Sequence, residues 1–133
     1  MSAPDHGAQV RYWLDLARGD LLAAQVLSAD ASLPPRVAAD LAHQAAEKAL
    51  KGLIASIGSD PPRSHDIVML AHRVATRLVP EVGDADLRAL TDAHAQARYP
   101  DHPGLGYDRD ETASLVAMAG RIVGQIDREL GGS

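Results

Sequence analysis

Between Arg36 and Ile57 the sequence reads as a helix that is apolar around most of its circumference. Projected at the helical step of about 100° per residue, Arg36, Asp40, His43, Gln44, Glu47, Lys48 and Lys51 gather into roughly 140° of arc. Val37, Leu41, Ala45, Ala49, Leu50, Leu53, Ile54 and Ile57 fill the rest. A helix of this kind is buried on most sides, so neighbours must surround it and its polar stripe must meet either partners or ligands.

The neighbours are legible in the same way. Val10, Trp13, Leu14, Ala17, Leu21 and Ala24 recur at three- and four-residue steps and predict a first helix from about Gln9 to Ser28. Asp20 falls on the flank of that apolar stripe, where a buried carboxylate needs an internal hydrogen bond or an ion pair. Pro34 and Pro35 mark the start of the second helix, and Gly58 stops it after Ile57. Ser59 to Arg63 reads as a proline-containing turn. Ser64 is placed to cap a third helix with the face Ile67, Leu70, Ala71, Val74 and Leu78, ending before Pro80. A fourth helix spans about Asp84 to Arg98, because Pro100 biases Tyr99 away from helical geometry. Residues 99–108 hold two prolines and two glycines and read as a loop. Thr112, Leu115, Val116, Ala119, Ile122, Val123, Ile126 and Leu130 give the last helix, with Gly131-Gly132-Ser133 as a fraying tail. No strand alternation and no internal repeat competes with this reading. The expected architecture is all-α, an antiparallel bundle of four to five helices with the second near the centre.

Composition narrows the function classes. At 133 residues and 46% hydrophobic, the chain is sized for one domain over residues 1–133, with its core in about 9–130. The absence of cysteine excludes disulfides, thiolate zinc sites and a cysteine nucleophile. The start lacks a signal-peptide pattern and no stretch is apolar enough to span a bilayer, so a cytoplasmic location is expected. A net charge of −5 argues against broad capture of nucleic acid, and 3% aromatic residues with no phenylalanine argue against a base-stacking platform. Contact with RNA or a nucleotide would be local and polar.

Four segments in order resemble the HEPN family. Trp13, Ala17, Asp20 and Leu21 resemble its first-helix pattern, and the run Gln44-Ala45-Ala46-Glu47-Lys48-Ala49-Leu50-Lys51 resembles its second. Ser64-His65-Asp66 with Leu70 matches its third-helix entry, and Arg98-Tyr99-Pro100-Asp101 matches the arginine-led motif closing its fourth. The resemblance implies a helical bundle, usually a homodimer. Its implied roles are RNA cleavage, nucleotide binding, or pairing with a minimal nucleotidyltransferase in toxin–antitoxin systems. Ribonuclease members place four to six residues between arginine and histidine, whereas three lie between Arg98 and His102 here, Pro100 among them.

The candidate residues divide accordingly. Metal-independent RNA cleavage needs a base for the 2′-hydroxyl proton and a cation near the phosphate, which Arg98 with His102 or His94 would supply. A dimer built on the face of Leu87, Thr91, His94 and Arg98 would bring the last two together. The short spacing instead favours pairing of Arg98 with Asp101 or Glu47, leaving His102 solvated. Glu47, Lys48 and Lys51 have the charges to bind a phosphate or a partner, or to form a network between helices, and the last is favoured because their helix is otherwise buried. His65 is expected to close the turn at its helix start, with a binding role as the alternative. Tyr99 and Asp101 are binding candidates within their motif.

His43 and Glu47 offer only two metal ligands at helical spacing, so no metal or cofactor is expected, and no Walker loop or Gly-x-Ser-x-Gly elbow is present. The functional expectation is a dimeric nucleotide- or RNA-associated module acting with a nucleotidyltransferase-type partner in a toxin–antitoxin-like system. A metal-independent endoribonuclease toxin and a non-catalytic helical scaffold are the alternatives.

Overall fold

The computed structural model describes residues 6–98 and 108–131, with residues 95–98 as backbone. Five helices make up the bundle among the described residues: α1 (His6–Ala29), α2 (Pro35–Ser56), α3 (Ile67–Arg73), α4 (Asp84–Arg98) and α5 (Arg109–Gly131). No strand occurs among the described residues, and no helix among them is long and apolar enough to cross a membrane.

α2 is the axis of the fold, packed against each of the other four helices. Its Leu50, Leu53 and Ile54 are fully buried, as are Ala39, Ala42, Ala45, Ala46 and Ala49. Around them stand Leu14 and Ala17 of α1, Ile67 and Leu70 of α3, Leu87 and Leu90 of α4, and Ile122 and Ile126 of α5. So many alanines on a central helix let its neighbours approach closely on every side. Pro35 lies in the first turn, where its missing N–H costs nothing. Gly58 ends the helix with a φ of +81°, a conformation that suits glycine, and Ser59 N reaches back to the Ile54 carbonyl. Val37 and Ile57, assigned to the apolar arc, are exposed, Val37 because it projects between Gln44 and Lys48 on the polar side and Ile57 because it follows the last helical residue, Ser56.

α3 departs most from expectation. It ends at Arg73, where Val74 N bonds to Ala71 O and Ala75 N to His72 O, three-residue steps that tighten the chain out of the α-helix. Val74 and Leu78 still pack on the core through the turns that follow. The cap is Asp66, whose carboxylate accepts from Met69 N at 3.2 Å, while Ser64 Oγ accepts from Asp66 N at 3.0 Å. Asp66→Ala should therefore cost about 1 kcal/mol of stability in urea unfolding, and Ser64→Ala less.

The start of α5 is fixed by a reciprocal box in which Asp108 accepts from Glu111 N at 2.7 Å and Glu111 accepts from Asp108 N at 3.3 Å. Arg109 then donates to the carbonyls of Asp30, Ala31 and Leu33, fastening α5 to the α1–α2 turn. Gly131, expected in a fraying tail, is the last residue of the helix.

Candidate functional site

The polar stripe of α2 is closed in by its neighbours. His43 is 0% exposed, Glu47 4% and Lys51 7%. Groups this deep need partners within the protein, since water cannot supply them. Glu47 is the hub. Its Oε1 accepts from His43 Nε2 at 3.0 Å and from His65 Nδ1 at 2.7 Å, and its Oε2 accepts from Lys51 Nζ at 3.1 Å. Burial alone would push this carboxyl up, but the hydrogen bonds from His43, His65 and Lys51 outweigh it and bring the group to about 2. Glu47 is thus an ionised carboxylate inside the bundle.

Three imidazoles crowd around it. His43 Nδ1 donates to the Leu90 carbonyl of α4 at 2.7 Å, which fixes the ring. His94 of α4 stacks on His43 with centroids 4.8 Å apart and lies 4.6 Å from His65. His94 Nδ1 donates to Asp40 at 2.9 Å, whereas its Nε2 is buried with no partner among the described residues. His65, on the segment leading into α3, differs from the other two in keeping 57% of its side chain exposed. His43, Glu47 and His65 each offer one ligand atom, and these atoms lie within 4.8 Å of one another.

The remaining charges of the stripe also pair internally. Lys48 Nζ meets Asp20 of α1 at 2.5 Å, the partner that the placement of Asp20 demands. Lys51 lies 5.7 Å from the centre of the Trp13 ring, a cation–π contact that further occupies the ammonium. Glu47, Lys48 and Lys51 therefore engage one another and the neighbouring helices. His65 also binds Glu47 across 18 residues of sequence, a contact no local pattern announces.

The fourth-helix motif stands differently. The backbone of Arg98 ends α4, one turn beyond His94. The Arg98 side chain, Tyr99, Asp101 and His102 lie outside the described residues, and with them the expected pairing of Arg98 with Asp101 or Glu47. The described part of the face shared by Leu87, Thr91 and His94 turns inward. Leu87 is buried, Thr91 Oγ1 accepts from Ile67 N at 3.0 Å, and His94 is stacked on His43. α2 and α3 already cover it. A groove of about 780 Å³ between α1 and α5, lined by Gln25, Glu81, Arg121 and Arg128 among others, lies away from the histidines.

Comparison with known proteins agrees along most of the chain. The family model described as HEPN domain matches residues 10–128. A crystal structure of a Thermus thermophilus protein is similar at 29% identity, covering 91% of this chain and 98% of that one, with a TM-score of 0.72. The crystal structure of an archaeal HEPN homologue is similar at 26% identity, covering 91% of this chain and 97% of that one, with a TM-score of 0.65. No curated protein matches the chain.

Proposed function

The chain belongs to the HEPN domain family, and on that premise we propose that it is a dimeric module that binds the phosphates of a nucleotide or RNA. It acts with a nucleotidyltransferase-type partner in a toxin–antitoxin-like setting. The observation that carries this reading is His65, held through Nδ1 by an ionised carboxylate with about half of its side chain in solvent, beside His94 and the α4 turn that ends in Arg98. In a chain of net charge −5 this edge gathers imidazole rings, donors that a phosphate takes. Lys48 and Lys51 serve the fold, because each already has a carboxylate partner.

The same dyad favours a second reading, metal-independent RNA cleavage. A carboxylate on Nδ1 directs the Nε2 lone pair of His65 outward, as a base for a 2′-hydroxyl requires, and Arg98 would meet the phosphate. The base is then His65 in place of His102 or of His94, whose Nε2 is buried.

One experiment serves both readings. Labelled single-stranded RNA and a nucleoside triphosphate are titrated in chelator with wild type, His65→Ala and Arg98→Ala. Salt-sensitive binding weakened about tenfold in either variant is the expected result, since each removes one charge-assisted phosphate contact. Absence of binding to both probes would remove the module reading. Fragments appearing with wild type alone would establish the nuclease. Copurification without a nucleotidyltransferase from the native host would count against the partnership.

A further inference from the structure

We propose that His43, Glu47 and His65 form a binding site for one divalent transition-metal ion, Zn(II) being the expected occupant. This goes beyond the phosphate reading and does not depend on it. Two imidazole nitrogens and one carboxylate oxygen converge within 4.8 Å, two of the three residues being buried. Zinc holds such donors at about 2.0–2.2 Å, which sets them about 3.3 Å apart in a tetrahedron. Glu47 Oε1 lies 3.0 Å from His43 Nε2 and 2.7 Å from His65 Nδ1, so it would retreat by about 0.3–0.6 Å, while the two imidazole nitrogens, up to 4.8 Å apart, would close by as much as about 1.5 Å, a movement that falls to His65 on its exposed segment.

The surroundings match those of a metal ligand set. A ligating histidine ordinarily donates its other ring N–H to a carbonyl or carboxylate, which fixes its tautomer and orientation. His43 does this through Nδ1 to the Leu90 carbonyl at 2.7 Å. A metal ion there would replace the two hydrogen bonds that Oε1 receives, the His43 Nε2 proton leaving to solvent and the His65 Nδ1 proton giving way to one on its outward Nε2. Lys51 holds Oε2 and leaves Oε1 to the histidines.

Two further observations point to an occupant. His94 Nε2 is buried and has no partner among the described residues, on a ring packed against both ligand histidines, and a fourth ligand or a metal-bound water would give it one. The exposed side of His65 leaves solvent an entry to the fourth position. Two imidazoles with a single carboxylate select zinc, cobalt, nickel or copper over magnesium and calcium, which require mostly oxygen.

The test uses the chelator-stripped chain without an affinity tag. Co(II) is titrated by visible absorption, and bound Zn(II) is counted after dialysis. Wild type should bind one ion per chain, give the intense visible bands of four-coordinate cobalt, and melt higher with Zn(II). His72→Ala, at an exposed histidine paired with Asp84, should match wild type. His65→Ala, at a half-exposed ring, should stay folded without metal yet bind at least tenfold more weakly and lose the bands. Wild type without the bands and with well under one zinc per chain would overturn the proposal, as would equal binding by His65→Ala. RNA affinity in chelator tests the phosphate reading separately, so either can fail alone.

Discussion

Glu47→Ala is expected to destabilise the fold by about 3–5 kcal/mol in urea unfolding, because it strips the carboxylate from a buried charged network and leaves its other members in place. Lys51, 7% exposed, and His43, 0% exposed, would both lose the group that faces them. Glu47→Gln keeps the volume and one acceptor oxygen and should lose less. The charge can be checked independently by pH in the presence of chelator. The folded-state value of about 2 lies below the ordinary 4.5, so this stabilisation is complete above pH 4.5 and is lost as the pH falls toward 2. Each pH unit between those two values is worth about 1.4 kcal/mol, so the gap between wild type and Glu47→Ala should shrink by about 3 kcal/mol across that window. A gap that is small at neutral pH, or constant with pH, would mean that the network does not hold the bundle through its charge. A scaffold predicts that Glu47→Gln loses stability alone, whereas a binding role predicts that a folded Glu47→Gln also loses its ligand.

What the sequence reveals here depends on the range of each signal. α2 is legible over most of its length because a narrow polar arc on a long helix can be read from periodicity, and the buried Ala45, Ala49, Leu50 and Leu53 fall where projection puts them. Asp20 is legible for a related reason, since a carboxylate beside an apolar stripe needs a partner, and Lys48 of α2 provides it. α3 has only seven helical residues, too few for a period to mark its end. Ser64 and Asp66 both have side chains that can cap, and only the fold decides between them. The site divides in the same manner. Asp40, His43 and Glu47 appear together on one face because all three lie on one helix. His65 reaches Glu47 from another segment, and the Leu90 carbonyl that fixes His43 is a backbone group with no signature in sequence. Periodicity therefore exposes a pair of candidate ligands and hides the third.

Gly52→Leu is the other large loss expected, about 3 kcal/mol in urea unfolding, because α1 and α2 meet there too closely for a side chain. A Cβ at this position would stand 3.2 Å from Trp13 Cβ and 3.6 Å from Leu14 Cδ2, and Trp13 Cβ is tied to the α1 backbone and cannot swing aside. Helix propensity points the other way. Glycine within a helix costs about 1 kcal/mol relative to good helix formers, so substitution at an open site should stabilise. Gly19 of α1 is such a site, with nothing within 4 Å of an added Cβ, and Gly19→Ala should gain up to about 1 kcal/mol. The opposite signs separate the steric effect from the propensity effect within one pair of helices. The approach at Gly52 also brings Lys51 to 5.7 Å from the Trp13 ring and lies one turn from the Lys48–Asp20 ion pair. Forcing α1 outward by a leucine should disturb both contacts, and with them the lysine that holds Glu47 Oε2. A Gly52→Leu protein as stable as wild type would mean that α1 can move away without cost, and that the close seam between the two helices does not position the site.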